Sequence, residues 1–262
     1  MNVLVLGGTG IISGGILRTL LAKGHQVTVF HRGHTRLQER GVNEIFGDRK
    51  DHRTFEAMMK PLRFDAVMDV LCFNRQDAES TFRAFKGRVK HFVHTSTVCA
   101  VGVPTYKVIC DENEPYHPIS GYGRGKAEAE KFYLWAWKRH RFPVTIIRPS
   151  HTCGPGGGWV LGTLLHDWEW DCETLNRIKR GAPVVVHGDG ENLWQSCYSD
   201  DIGKAYVGAL GKPWVRGQIY NACGRDIITW NGHYERLGKA MGKKAKIVQL
   251  PLEVIVRVAP DC

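Results

Sequence analysis

Short aliphatic runs alternate along the chain with longer stretches in which apolar residues recur every three or four positions. NVLVL (2–6) is the first run, the pattern of a strand covered on both faces. Gly7, Gly8 and Gly10 follow at once. Next comes IISGGILRTLLAKG, whose Ile12, Ile16, Leu17, Leu20 and Leu21 fall on one face of a helix. The strand signal returns in QVTVF (26–30), NEIFGD (43–48), FDAVMDVL (64–71), HFVHTS (91–96) and VTIIRP (144–149). Helical patterns fill the gaps, most clearly at 75–86 and in GYGRGKAEAEKFYLWAWKRH (121–140). This alternation predicts an α/β fold: a doubly wound parallel sheet with helices on both faces.

The first turn carries candidate chemistry. Glycines between a strand and a helix let the backbone approach a pyrophosphate, which sits against the free N–H groups of the helix start. The spacing puts Ser13, with Gly14 beside it, where a third glycine is usual, and serine is small enough to allow close packing there. A tight turn without a ligand is the alternative reading. After CGPGGG (153–158) the regularity breaks, and 159–181, with Trp159, Trp168 and Trp170, reads as an insertion folding over the sheet edge. APVVVHG (182–188) and GQIYNA (217–222) return as strands, and 229–241 as a helix. The expected division is a Rossmann-like dinucleotide-binding domain over 1–152, with returning elements in about 182–225. A smaller, mainly substrate-binding region then covers 153–262.

Composition narrows the classes. The 262 residues, 43% hydrophobic and 24% charged, suit a globular protein with a sizeable core. No apolar stretch is long enough to span a bilayer. The first strand begins at residue 2, leaving no room for a signal peptide. Eight cysteines are scattered singly with no CxxC pair, so no metal site is expected, and they read as reduced thiols of a cytoplasmic protein. The net charge of +10 suggests an anionic partner. Its runs WKRHR (137–141), RIKRG (177–181) and GKKAK (242–246) are short and separated, so they read as solvated faces and nucleic acid is not expected.

The second strand ends FHRGHTR, placing His31 and Arg32 where an acidic residue holds the adenosine ribose in NAD-binding folds. An arginine accepts a 2′-phosphate, so of NAD and NADP the latter is slightly favoured; stacking of Arg32 on adenine or exposure to solvent are alternatives. Asp48 can accept from the adenine amino group or cap a helix. In SGYGRGKAEAEKF, Tyr122 and Lys126 are four apart and share a helix face. A phenol has a pKa near ~10, and a neighbouring ammonium together with a cationic nicotinamide ring acts in the direction of a useful base. Ser96 ends the fifth strand and Thr97 and Cys99 follow it, at the carboxyl edge where open α/β sheets bind ligands.

These motifs together resemble the extended short-chain dehydrogenase/reductase superfamily, and within it the nucleotide-sugar epimerase/dehydratase family. The likeness rests on GGTG, the ST pair, Y-G-x-x-K-x-x-x-E, RPSHTCGP, GDGENLWQSCYSDDIGKAY and GQIYNACG, over roughly residues 1–250. It implies a cofactor cradle of Gly7, Gly8, Thr9, Gly10, Ile11 and Ile12, with Arg32, Asp48, Lys126 and Pro149. It also implies Tyr122 as acid/base, Lys126 lowering its pKa and binding ribose, and Thr97 bonding the reacting oxygen. Ser96, Thr97, Tyr122, His151 and Trp194 would meet a sugar or sugar-nucleotide substrate, in an enzyme that often pairs as a homodimer through helix 121–140. The activity implied is NAD(P)-dependent epimerisation through a transient ketone; a net reductase or dehydrogenase needs the same residues, and a non-catalytic RNA-binding protein, as in a chloroplast subgroup of similar sequences that kept the fold, is a further alternative.

The chain also departs from that pattern. Val98 and Cys99 replace the Asp-Glu pair of the dehydratases, which disfavours water elimination. Cys99 matches a cysteine that some family members use to exchange a proton beside a ketone, and a small core residue is the other reading. His151 stands for the usual asparagine, as a second acid/base, a substrate contact or a structural residue. Trp194 stands for an arginine that faces the diphosphate in many relatives; it can stack on a ring but neutralises no phosphate.

Overall fold

The computed structural model describes residues 1–155 and 173–258. Its first half alternates as expected: β1 (Asn2–Leu6), α1 (Ile11–Ala22), β2 (Gln26–His31), β3 (Asn43–Phe46), α2 (His52–Met59), β4 (Ala66–Asp69), α3 (Arg75–Phe85), β5 (His91–Thr95), α4 (Gly121–His140) and β6 (Val144–Pro149). There follow β7 (His151–Cys153), α5 (Glu173–Arg180), β8 (Pro183–His187), β9 (Leu193–Trp194), β10 (Ser196–Tyr198), α6 (Ser199–Ala209), β11 (Ile219–Ala222), β12 (Ile228–Thr229), α7 (Trp230–Ala240), β13 (Lys246–Leu250) and α8 (Leu252–Val258).

Seven strands form one sheet in the order β11-β6-β5-β4-β1-β2-β3, every neighbouring pair parallel. The order reverses beside β1, so β1 and β4 flank a switch point at the carboxyl edge. Both faces are dry. Leu4, Leu6, Phe30, Phe92 and Phe142 pack under α2, α3 and α4, while Val3, Val5, Val29 and Val93 pack under α1 and α6. The third-glycine question resolves at Gly15 rather than Ser13. A Cβ on Gly15 would lie 2.0 Å from the Ser199 carbonyl oxygen, so this glycine brings α1 against the start of α6.

Two strands stop earlier than the hydrophobic runs suggest. β4 ends at Asp69, whose Oδ1 accepts from the Leu71 amide at 3.0 Å and turns the chain. β3 ends at Phe46, where Gly47 still bonds to the His31 carbonyl and Asp48 starts a turn by accepting from the Lys50 amide at 2.8 Å. Of the two returning strands, only β11 joins the main sheet, beside β6; β8 pairs with β13. Of the segment read as an insertion, residues 173–181 are described, and 173–180 form α5; Trp159, Trp168 and Trp170 lie outside the described residues.

Two core histidines of β5 give the fold a pH dependence. His91 and His94 are fully buried, and burial pushes the His91 imidazole down to about 4 and that of His94 well below its ordinary value. Both stay neutral in the fold while the unfolded chain takes up protons below its own imidazole pKa of ~6.5. Stability is therefore fully present above that pH and falls as acid is added, by up to ~1.4 kcal/mol per pH unit for each ring. Urea midpoints at neutral pH and near pH 5 measure this. His94→Leu is expected to flatten the slope by about one proton, and an unchanged slope contradicts it.

Candidate active site

The site is assembled where β5 hands the chain to a short turn. Thr97 caps that turn, its Oγ1 accepting from the Cys99 amide at 3.2 Å. Helix α4 then starts at Ser120, whose hydroxyl oxygen accepts from the Gly123 amide at 3.0 Å. The glycines of GYGRGK bring this helix start close. A Cβ on Gly123 would lie 2.3 Å from the Cys99 carbonyl oxygen, and one on Gly125 2.3 Å from that of Phe73. The first turn of α4 is thereby pressed onto the ends of β4 and β5, and Tyr122 meets Thr97 there.

Tyr122 is half-exposed and Lys126 fully buried. The Lys126 Nζ donates to the Thr95 carbonyl at 2.7 Å, which leaves two of its N–H donors for other partners. It lies 4.7 Å from the centre of the Phe73 ring and 5.8 Å from that of Tyr122. Phe73 also has the Lys50 Nζ 5.4 Å from its centre and Tyr122 at 6.4 Å. The sequence reading missed Phe73; a lone exposed aromatic after β4, just before the Asn74 cap of α3, was the available signal.

The electrostatics correct one expectation. Burial raises the Tyr122 phenol above its ordinary value; a charge on Cys99 raises it further and a hydrogen bond with Thr97 lowers it. Burial also lowers the Lys126 ammonium, with Cys72, Asp69, Asp77 and Glu130 acting against it. Without a cofactor, then, the phenol is held in its protonated form, the form that can donate a proton.

Ser96 departs from its expected place. Its hydroxyl turns into the core and bonds to the carboxylate of Glu130, which also accepts from Tyr116 at 2.8 Å and from Arg148 at 2.7–3.2 Å. Glu130 and Arg148 are buried, so the final E of Y-x-x-x-K-x-x-x-E and the R of RP form an ion pair beneath the site. Ser96 is a tether for the Thr97 loop rather than a substrate contact. Pro149 is buried at the end of β6, in register with Ala222.

On the cofactor side, Gly8, Thr9, Gly10, Gly14, Arg18, Thr35, Arg36, Gln38, Glu39 and Pro155 enclose a cavity of about 340 Å³. Gly10 caps α1 without a side-chain hydrogen bond, and a Cβ there would meet only Ser13 Oγ at 4.0 Å. Free amide donors at a helix start, open space over the glycine and a cavity beside them fit a dinucleotide's pyrophosphate. Ile11 and Ile12 form the first turn, half-buried. Arg32 is exposed and is not among the residues lining the cavity, whose cations are Arg18 and Arg36. Arg18 is held by Glu39 at 2.8 Å and Asp200 at 2.5 Å. His31 pairs with Glu44 at 2.8 Å, and α2 is capped by Asp51 rather than Asp48.

His151 and Trp194 belong to a second group. β7 carries His151 on from β6, and its ring lies 5.3 Å from that of Trp194. Trp194 packs at 4.0 Å on His233 and 5.5 Å on Trp230. Trp194 is thus one wall of an aromatic and histidine cluster, not an isolated substitution. Cys99 is exposed. Among the described residues no group of His, Cys, Asp and Glu is arranged to hold a metal, and no helix is long and apolar enough to cross a membrane.

The sequence profile of the NAD dependent epimerase/dehydratase family matches residues 3–223. The chain belongs to this family. Over 97% of its length it is 30% identical to the 2′-dehydrokanamycin reductase of Streptomyces kanamyceticus, and over 92% it is 24% identical to the chloroplast stem-loop binding protein of 41 kDa b of Arabidopsis thaliana. It spans 70% and 63% of those two proteins. The UDP-glucose 4-epimerase of Thermotoga maritima, solved with UDP-glucose, superimposes with a TM-score of 0.78 at 22% identity, covering 96% of this chain and 86% of that one. This family is one of NAD-dependent epimerases, dehydratases and reductases, and the Rossmann-like fold is theirs.

Proposed function

We propose that the protein is an NAD(P)-dependent oxidoreductase that interconverts a secondary alcohol of a sugar with its ketone. One observation carries this reading: Thr97, Tyr122 and Lys126 converge at the carboxyl edge of the sheet, on the edge that also carries the open start of α1. Residues 1–152 would carry the cofactor and 153–262 supply most of the substrate contacts. Gly10 and the first amides of α1 would hold the pyrophosphate, and the free donors of Lys126 the ribose. A nicotinamide, when bound, supplies or accepts the hydride. The chain's own residues do the rest: Thr97 orients the reacting oxygen, and Tyr122 gives its phenol proton to a ketone or, as phenolate, takes one from an alcohol.

Net reduction of a glycoside that lacks a diphosphate is the preferred direction. Trp194, packed at a tilt among His151, His233 and Trp230, offers a ring surface and no phosphate partner, and the relative aligned over 97% of the chain is a 2′-dehydrokanamycin reductase. Arg36 in the cavity, without an acidic residue at the end of β2, supports NADP. Epimerisation is the second reading, favoured by the exposed Cys99 beside Tyr122, placed to exchange the proton next to a ketone.

Keto-glycosides and sugar nucleotides incubated with NADPH or NADH in deuterated water separate these readings. A reductase consumes the nicotinamide absorbance in step with product. An epimerase leaves the absorbance unchanged and, through Cys99, places deuterium on carbon. Absence of dinucleotide binding in a titration overturns both.

A further inference from the structure

The net charge of +10 is not spread over the molecule. In a parallel sheet every helix-to-strand connection arrives at the amino end, opposite the edge that carries Tyr122 and the glycine turn. Four such connections are KPLRFD (60–65) into β4, KGRVK (86–90) into β5, KRHRFP (138–143) into β6 and GKPWVRG (211–217) into β11. They contain ten lysines and arginines and one carboxylate, Asp65, an excess that nearly equals the charge of the whole chain. β4, β5, β6 and β11 are consecutive neighbours in the sheet, so the four connections form a row about 15 Å long.

Side-chain contacts join that row end to end. Arg88 donates to the carbonyls of Lys60 and Leu62 at 2.6 and 2.7 Å, and Lys90 pairs with Asp65 at 2.8 Å. The Lys86 Nζ lies 3.2 Å from His140 Nδ1. A Cβ on Gly217 would lie 2.1 Å from the Trp137 indole nitrogen, so the last connection rests on the end of α4. Cations at helix ends answer the helix dipole, which explains Lys138 and Arg139 in the last turn of α4. It does not explain Lys90, Arg141 or Lys212 beyond the helices, nor Trp214, which is 71% exposed among them.

We infer that the amino end of the sheet binds single-stranded nucleic acid, its phosphates lying along the row of connections and a base stacking on Trp214. A line of cations suits a linear polyanion, and an exposed indole offers the flat face that stacks on any base. A bilayer surface fits less well, because Trp214 is the one exposed large apolar side chain in these four connections. Separated in sequence, the four connections are neighbours at one edge of the sheet, and the proposal rests on that adjacency.

The test is fluorescence anisotropy of a labelled oligouridylate with the purified chain at salt between about 50 and 200 mM. Micromolar affinity that weakens steeply with salt is expected. K138E/R139E/R141E should raise Kd at least ~10-fold and reduce the log–log salt slope by about 2, since each lost phosphate contact removes ~0.7. W214A should raise Kd by roughly 5- to 150-fold and leave the slope unchanged. R53E/K131E/K204E, which removes equal charge from exposed positions elsewhere, should bind like the wild type. Crosslinking of a 4-thiouridine oligomer to the unmodified chain should map to 138–143 and 211–217, whatever the variants do. No binding at the lowest salt, equal loss in the control variant, or crosslinks confined to the Tyr122 edge each overturn the proposal. So does binding to phosphatidylserine vesicles in place of RNA through the same residues.

Discussion

Tyr122→Phe is expected to lower kcat by about 100- to 10,000-fold while leaving dinucleotide affinity within about threefold of the wild type. The substitution removes one oxygen and keeps the ring. Its packing 6.4 Å from Phe73 stays, as does the Lys126 bond to Thr95, because neither uses the phenol. Since Tyr122 is half-exposed, thermal stability should hardly change. The loss would therefore be one of proton transfer. The pH profile sharpens the test: burial raises this phenol, so in the reductive direction activity should persist well above neutral pH and fall only as the phenol deprotonates. Lys126→Met, by contrast, should damage both activity and stability, because it strips a buried carbonyl of its partner. Retention of more than about a tenth of the activity by the phenylalanine variant would remove Tyr122 from the mechanism.

The largest effect on stability belongs beneath the site. Arg148→Met should cost about 3–5 kcal/mol, because Glu130 would be left charged and buried with only Ser96 and Tyr116 as partners. In a chain of this size that corresponds to roughly 6–20 °C in melting temperature. The penalty comes from the stranded charge rather than the bond itself, so the double variant E130L/R148M should recover most of the loss, since apolar replacement of a buried pair is often neutral. Scanning calorimetry of the single and double variants decides it. A single variant within about 1 kcal/mol of the wild type would mean that water reaches Glu130. Because Ser96 anchors to the same carboxylate and precedes Thr97, the single variant should also loosen the site and lower kcat.

The two variants separate what local pattern reveals from what it hides. Helix α4 was legible to the residue, since its periodicity runs unbroken from Ser120 to His140, and with it the pairing of Tyr122 and Lys126 one turn apart. The parallel sheet was legible because each strand is a short aliphatic run between helical patterns. Strand ends were less so: Asp69 stops β4 through a turn bond that hydrophobicity does not register. Phe73 was missed because a single aromatic in a loop carries no period, and its importance arises only where Lys50, Tyr122 and Lys126 surround it.

By itself the sequence determined the elements, their order and the chemistry available at the carboxyl edge, since a strand's alternation, a helix's repeat and a glycine turn are all written within a few neighbouring residues. Only the tertiary structure decided where side chains point and which charges meet. It turned Ser96 inward to Glu130, set Trp194 against His233, and gathered the cations of four distant connections into one surface. Such outcomes depend on contacts between residues far apart in the chain, such as Glu112 with Asn221, and no local pattern encodes the crossing that brings them together.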